Sequence, residues 1–325
     1  QGNSIDEVLK SRPDAQPRLD EMEIVGEDIE VRFLQPGDQR PRYFRVSGVQ
    51  ASIDDRRIAL DADVRLSDDL GRDISLAATH LLNMPQEQRV WDVAVEADDL
   101  ILGGWSELYP GLSTGLLSGR GDIDASFALS GQSLSNASVD VDLADVSLSQ
   151  GQVFDLEGRI ELDTSFDGWL VAAENFRITT DGREWPASSL RAEASTDDDG
   201  KVAVLNVRAT YANLSDSALL LPVLPEEQRV FLADLAPRGE VRGLEMTLSE
   251  TDAGVPYFDI TADLENVGFS AKGKRPGIQG LSGYVRGDRP GGRIEIRSTD
   301  LLIDLPRVMD GPVDIDVLDG MIIWR

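Results

Sequence analysis

Apolar residues recur at every second position, in one short segment after another, from end to end of the chain. Ile58, Leu60, Ala62, Val64 and Leu66 alternate with Ala59, Asp61, Asp63 and Arg65, and Ile123, Ala125, Phe127 and Leu129 with Asp122, Asp124 and Ser126. Val139, Val141 and Leu143, then Phe258, Ile260, Ala262 and Leu264, then Val313, Ile315 and Val317 repeat the pattern. Successive side chains of an extended strand point to opposite faces, so each segment carries one oily and one solvated face. Strands buried on both faces would read as continuous apolar runs. The expectation is therefore antiparallel sheet with one side open to water.

Turn residues punctuate these segments at Asp54–Asp55, Asp68–Asp69–Leu70–Gly71, Ser118–Gly119, Asp181–Gly182, Asp198–Asp199–Gly200 and Gly287–Asp288. Template matching gives roughly 16 to 20 strands. An immunoglobulin-like sandwich uses about seven strands in about 100 residues, and no sharp linker divides this chain into three such units. A continuous meander growing lengthwise is the more economical all-β architecture. Helical signals are few. Ile5 to Arg12 is acidic at its start and basic at its end, and Ile101 to Leu117 has room for a short broken helix. Pro225 to Ala236 starts with Pro and two Glu, carries Val230, Phe231 and Leu235 as its apolar face, and stops at Pro237. Ala212 to Leu221 reads as its companion. The expected division is a linker segment over 1–20, β-meander over 21–210, a helical insertion over 211–240 and further groove strands over 241–325.

Charge and composition exclude several functions. The net charge is −28, from 59 acidic against 31 basic residues, which opposes binding to nucleic acid or to an anionic membrane through clustered cations. Cysteine is absent and His80 is the single histidine, so thiolate chemistry and His- or Cys-rich zinc sites are not expected. Gly111–Leu112–Ser113–Thr114–Gly115 matches a nucleophile elbow in letters only. Pro110 precedes it, and His80 comes before the serine rather than after it. Asp197–Asp198–Asp199–Gly200 lacks the alternating ligands and distal Glu of a calcium loop. Abundant carboxylates single out no glycosidase pair, and the five tryptophans read as sheet packing. No enzymatic activity, cofactor or metal is expected. No apolar stretch approaches the roughly 18–20 residues of a membrane span and no signal peptide is visible. The chain starts at Gln1 and stops at Trp324–Arg325 inside an apolar segment, which reads as a piece of something longer, with its anchor or export signal elsewhere.

Several stretches in a fixed order resemble the AsmA-like superfamily of Gram-negative envelope proteins, and within it the YhdP-type family. They begin with Tyr211–Ala212–Asn213–Leu214, Leu220 to Pro225, and Phe231–Leu232–Ala233–Asp234–Leu235–Ala236–Pro237–Arg238–Gly239. Gly268–Phe269, Pro276–Gly277–Ile278–Gln279–Gly280–Leu281–Ser282–Gly283, Gly292–Arg293–Ile294–Glu295–Ile296, Leu301 to Pro306 and Leu318–Asp319–Gly320–Met321–Ile322–Ile323–Trp324 follow. Earlier, Gly182–Arg183–Glu184–Trp185–Pro186 and Leu66–Ser67–Asp68–Asp69–Leu70–Gly71–Arg72 fit as well. The resemblance covers most of residues 20–325. It implies a long twisted sheet curled like a taco around an apolar groove. It further implies a protein anchored in the inner membrane, extending across the periplasm and carrying phospholipid toward the outer membrane.

The apolar residues expected on the groove face are Val241, Leu244, Met246, Leu248, Phe258, Ile260, Leu264, Phe269, Ile294, Ile296, Val313, Ile315 and Val317. Each buried methylene contributes about 0.8 kcal/mol, and apolar contact is non-directional. Such a face holds acyl chains without a head-group pocket and lets them slide. The rival expectation is a structural scaffold that assists insertion of outer-membrane proteins by pairing with their strands.

Overall fold

The computed structural model of the chain describes residues 22–34, 41–82, 90–108, 116–131, 133–148, 153–164, 167–197, 202–217, 226–250, 256–273, 275–288, 291–309 and 311–324. Almost all of them belong to one sheet of 17 strands. The strands are β1 (Met22–Phe33), β2 (Arg42–Ile53), β3 (Arg57–Arg65), β4 (Asp73–Leu81), β5 (Trp91–Ile101), β6 (Leu116–Ser130), β7 (Ser133–Leu148), β8 (Val153–Asp163) and β9 (Gly168–Thr180). They continue with β10 (Arg183–Glu184), β11 (Ser188–Thr196), β12 (Val202–Asn213), β13 (Arg238–Glu250), β14 (Pro256–Phe269), β15 (Gly277–Asp288), β16 (Gly292–Asp304) and β17 (Val313–Trp324). Among the described residues two helices interrupt the series, α1 (Leu102–Leu108) and α2 (Glu226–Leu235).

Each strand pairs antiparallel with the next in sequence. The one exception is the two-residue β10, which folds back on β9 through Asp181–Gly182 before β11 takes over the same edge. Both turn residues have positive φ, 49° and 73°, as the tight hairpin turns that match strand twist require. The meander then runs on from β11 to β17. The pairing of β12 with β13 carries the sheet across residues 211–240 without a break.

Several local expectations need correction. Ser118–Gly119 is not a turn but lies inside β6. Gly119 is buried, and a Cβ there would crowd Leu102 and Val146, so the missing side chain makes room for their approach. Ala212–Asn213 completes β12 and is followed by a 3-10 turn over 214–217, so the described part of the expected companion helix is not α-helical; residues 218–221 lie outside the described residues. In α2, Val230 and Phe231 are exposed, while Leu232 and Leu235 are half-buried. The helix is fastened by its C-terminal end rather than by the expected face. The Leu235 carbonyl accepts from the Ser270 amide, and the Asp234 carbonyl from the Arg275 guanidinium. The proposed Ile5–Arg12 helix and the Gly111–Gly115 and Asp198–Gly200 segments lie outside the described residues.

What bends the sheet is a row of irregularities. In eight strands the alternation skips one step through a four-residue pattern: an inward residue, any residue, Asp, Asn or Gly, then an inward residue. The third residues are Asp28, Asp99, Asp145, Asn175, Gly243, Asn266, Gly280 and Asp300, all with φ between 51° and 79°. Asp and Asn tolerate this left-handed conformation better than other side-chain-bearing residues. Several coincide with register shifts, as at Ala97/Leu100, Leu143/Val146 and Leu264/Val267. Neighbouring strands satisfy the displaced amides: Asp99 N–H donates to Asp122 Oδ1, Asp145 N–H to Asp155 Oδ1 and Asn266 N–H to Ser282 Oγ. All eight lie toward the same ends of their strands, the ends that carry α1 and α2. Bulges bend strands and increase twist, so a row of them creases the sheet along a line, called the spine below.

Candidate functional site

Rows of cross-strand partners show what the sheet offers on its inner face. One row runs Ile24–Ala51–Leu60–Ala78–Val93–Phe127–Ala137–Leu162 over β1 to β8. It continues Val171–Ala192–Val207–Met246–Ile260–Gly287–Gly292–Trp324 over β9 and β11 to β17. Every strand except the two-residue β10 contributes an apolar residue or glycine. Where Gly287 and Gly292 leave the floor empty, the Trp324 ring lies in the space their side chains would occupy. Its Nε1–H points to the Asp288 carbonyl at 3.4 Å.

Burial divides this face into two zones. Along the spine, side chains are packed as in a protein interior. Leu66, Leu70, Ala97, Leu100 and Leu108 form one cluster with Phe44, Val64, Ile74, Trp105 and Ile123 against it. Leu102, Leu143, Val146, Phe154 and Ile178 form a second, joined by Val141, Leu156, Phe176 and Trp185. Helix α1 spans both, with Leu102 in one and Leu108 in the other. Its Gly104 lies so close to the Asp69 carbonyl that any Cβ would overlap it. Trp105 Nε1–H donates to the Leu70 carbonyl at 2.9 Å. Arg42 ties the arrangement together through Asp69 at 2.7 Å and Glu107 at 3.5 Å. Away from the spine, toward the tight turns, inner-face residues such as Leu60, Val93, Phe127, Val171, Met246 and Ile260 are only half-buried. Leu248 and Phe258 are each 38% exposed. This side is the mouth of an open trough.

The expected groove residues fall mostly on this face. Met246 pairs with Ile260, Leu248 with Phe258 and Val241 with Leu264. The row through Leu264 passes Gly283 to reach Ile296. Val241 and Ile296 are buried, whereas Leu244, Met246, Ile260, Leu264, Phe269, Ile294 and Ile315 are half-buried. Val313 and Ile315 pair with Ile303 and the fully buried Leu301, on the spine side of Asp300. Val317 stands apart. It is 68% exposed and faces the exposed Thr299, whereas its neighbour Leu318 pairs with the buried Ser298.

The outer face is charged, with short-range pairing. Asp140 is held below the usual carboxylate range by hydrogen bonds from Arg159, with Nη2 at 2.7 Å, and Asp99 likewise by Arg120. Asp69 is lowered by Ser67 and Arg42 even though partial burial pushes the other way. At the spine, burial pushes the Tyr211 phenol up, helped by Glu240. Tyr211 packs edge-on to Trp185, whose Nε1–H donates to the buried Asp216 carboxylate at 2.8 Å. No group of three His, Cys, Asp or Glu residues is placed to hold a metal ion among the described residues, and no described helix is long and apolar enough to cross a membrane.

Sequence reasoning missed the bulge row. Its signal was present as Gly26–Glu27–Asp28–Ile29, Ala97–Asp98–Asp99–Leu100, Leu143–Ala144–Asp145–Val146, Ala173–Glu174–Asn175–Phe176 and Leu264–Glu265–Asn266–Val267. These are the places where two polar-side positions separate inward residues and strict alternation fails.

No curated protein and no solved structure matches the chain. The model of one protein family does, the YhdP protein family, over residues 10–325. With nearly the whole chain matched, and a single curled antiparallel meander as its structure, this chain belongs to the YhdP family.

Proposed function

We propose that the trough shelters phospholipid acyl chains as part of non-enzymatic lipid transport across the bacterial envelope. The observation that carries this is the depth of half-exposed apolar surface between mouth and spine. From Trp91 to Ala97 on β5, from Leu129 to Ile123 on β6 and from Phe258 to Leu264 on β14, the inner face spans six residue steps. At about 3.4 Å per step this is about 20 Å, enough for the roughly 15 Å of acyl chain in one leaflet of a bilayer. Chains lying along the strands would cover the apolar floor that no second layer covers among the described residues, with head groups at the mouth. Stacked strands about 4.8 Å apart make the trough on the order of 70 Å long. Non-directional apolar contact then permits lateral movement along it. Membership of the YhdP family supports the envelope setting. In this reading the chain works in the periplasm, within a protein anchored in the inner membrane, with phospholipid as its partner and no catalytic residue or cofactor.

A phospholipid carrying a mid-chain nitroxide tests the reading. Bound in the trough, it should quench Trp91, Trp169 and Trp324 on the inner rows more than Trp105 and Trp185 at the spine, read in single-tryptophan variants. Equal quenching of all five, or none, would sink it. The assembly-scaffold reading draws on β17, which pairs with β16 alone among the described residues and exposes Val317, Met321, Ile322 and Ile323. Competition by strand peptides, with no competition by lipid, would favour that reading instead.

A further inference from the structure

The inner rows between spine and mouth are apolar on strand after strand, with one ionisable exception among the described residues. His80 follows Ile74, Leu76 and Ala78 along the inner face of β4. It lies in the mouth row, between Ile58 on β3 and Trp91 on β5. His80 is half-buried. Here one edge is paired and the other is not. Nδ1 lies 2.9 Å from the Val90 carbonyl oxygen. A carbonyl only accepts, so Nδ1 carries the proton and Nε2 of the neutral ring presents a lone pair. Trp91 stacks on the imidazole at 4.8 Å between ring centroids and 18° between planes. That contact fixes the ring plane, and Nε2 has no protein partner among the described residues.

We infer that His80, held by Val90 and Trp91, is a head-group contact for phospholipids bearing a primary ammonium. The inference rests on the lipid-shelter reading and adds the head-group class. An acceptor at the boundary of an apolar trough suits a donor, and the ammonium of an ethanolamine-type head group is a charged donor. A phosphate oxygen does not suit it, because two acceptors would meet unless the ring took up a second proton. The net charge of −28 acts in the same direction, since a field of that sign favours cationic groups and disfavours anionic lipids. With chains along the strands and about 20 Å of floor behind it, a head group at the mouth row lies at the level of His80. The site is a specificity contact, not an anchor: affinity comes from the chains, and His80 discriminates between head groups.

The single histidine makes the test direct, because its imidazole gives one set of ring resonances. The protein is titrated with phosphatidylethanolamine, phosphatidylglycerol and diacylglycerol of identical chains, and with soluble glycerophosphoethanolamine. The expected result is a shift of the His80 Nε2 resonance with phosphatidylethanolamine alone. Binding of that lipid should be about three- to tenfold tighter than binding of the other two. In His80→Phe, which keeps an aromatic ring on Trp91, all three chain-bearing ligands should bind alike. Equal binding of the three by the wild-type protein, or an unchanged preference in His80→Phe, overturns the assignment while leaving the trough reading intact. The same resonance shift with glycerophosphoethanolamine at equal concentration overturns it in favour of a free-amine site. Failure to bind any of the chain-bearing ligands overturns both readings.

Discussion

The spine and the mouth of the trough are built from the same strands and the same alternating pattern, yet they differ in kind. At the spine, Leu70 and Leu301 are 0% exposed and Val146 is 2% exposed. At the mouth, on the same face of the same sheet, Phe258 and Leu248 stay 38% exposed. Hydrophobic pattern alone therefore does not decide between closed core and open groove. The difference comes from the left-handed bulge residues that crease the sheet and, between β2 and β9, also from helix α1, which is laid over the crease. Along the crease, side chains from several strands converge. Away from it, the floor remains available to a ligand.

The largest effects should come from breaking the crease. Gly104→Leu would drive a side chain into the Asp69 backbone, where the neighbour is not a flexible side-chain tip. A loss of about 3 kcal/mol or more, or failure to fold, is expected in urea denaturation. Leu70→Ala and Leu301→Ala should each cost about 2–5 kcal/mol. Leu60→Ala, half-buried in the trough, should cost nearer 1 kcal/mol. Equal losses at the two zones would abolish the distinction between them. Among the bulge residues, Asn175→Val should be about 1–2 kcal/mol less stable than Asn175→Gly, because a β-branched residue resists positive φ. If the two variants denature together, backbone conformation at that position does not matter.

Smaller effects concern charge. Arg42 and Asp69 hold the β3–β4 turn against α1. The Asp69 carboxyl is lowered from 3.8, so its stabilising contribution is fully present above that value and is lost as pH falls through the lower folded-state value. Asp69→Asn should therefore be less stable than the wild-type protein at pH 7, by up to about 1 kcal/mol given its partial exposure. The difference should shrink as pH falls below 3.8 and through the lower folded-state value. A difference that persists in acid would assign the loss to packing. Removing the exposed Arg159–Asp140 pair on the outer face should leave stability in urea denaturation and trough binding essentially unchanged.

Much of the fold was legible because period-two alternation and turn residues are local signals. Ile58 to Leu66 and Phe258 to Leu264 read as half-buried strands without any tertiary information, and the helix read over Pro225 to Ala236 corresponds to α2 (Glu226–Leu235). The crease was not, since Asp99 or Asn266 reads as one more polar position until its φ is known. Gly119 looked like a turn because glycine in a strand and glycine in a corner share a letter, and only the approach of Leu102 and Val146 separates them. Val317 was placed inside by counting alternate residues. The pairing with Thr299 shows the count failing near Asp300, where the strands coil. In the sequence His80 stood out only as the single histidine; the meaning of its free Nε2 depends on the apolar rows around it.

The central claim is that the floor between mouth and spine is a lipid surface rather than an unfinished core. Native mass spectrometry of the purified chain, with lipid extraction from the same preparation, tests it most directly. The account predicts phospholipid at defined stoichiometry, lost in Ile260→Asp and kept in Thr261→Asp one residue away, with both variants folded by circular dichroism. A clean apo mass with no lipid in the extract, or lipid retained equally by a folded Ile260→Asp, would contradict it.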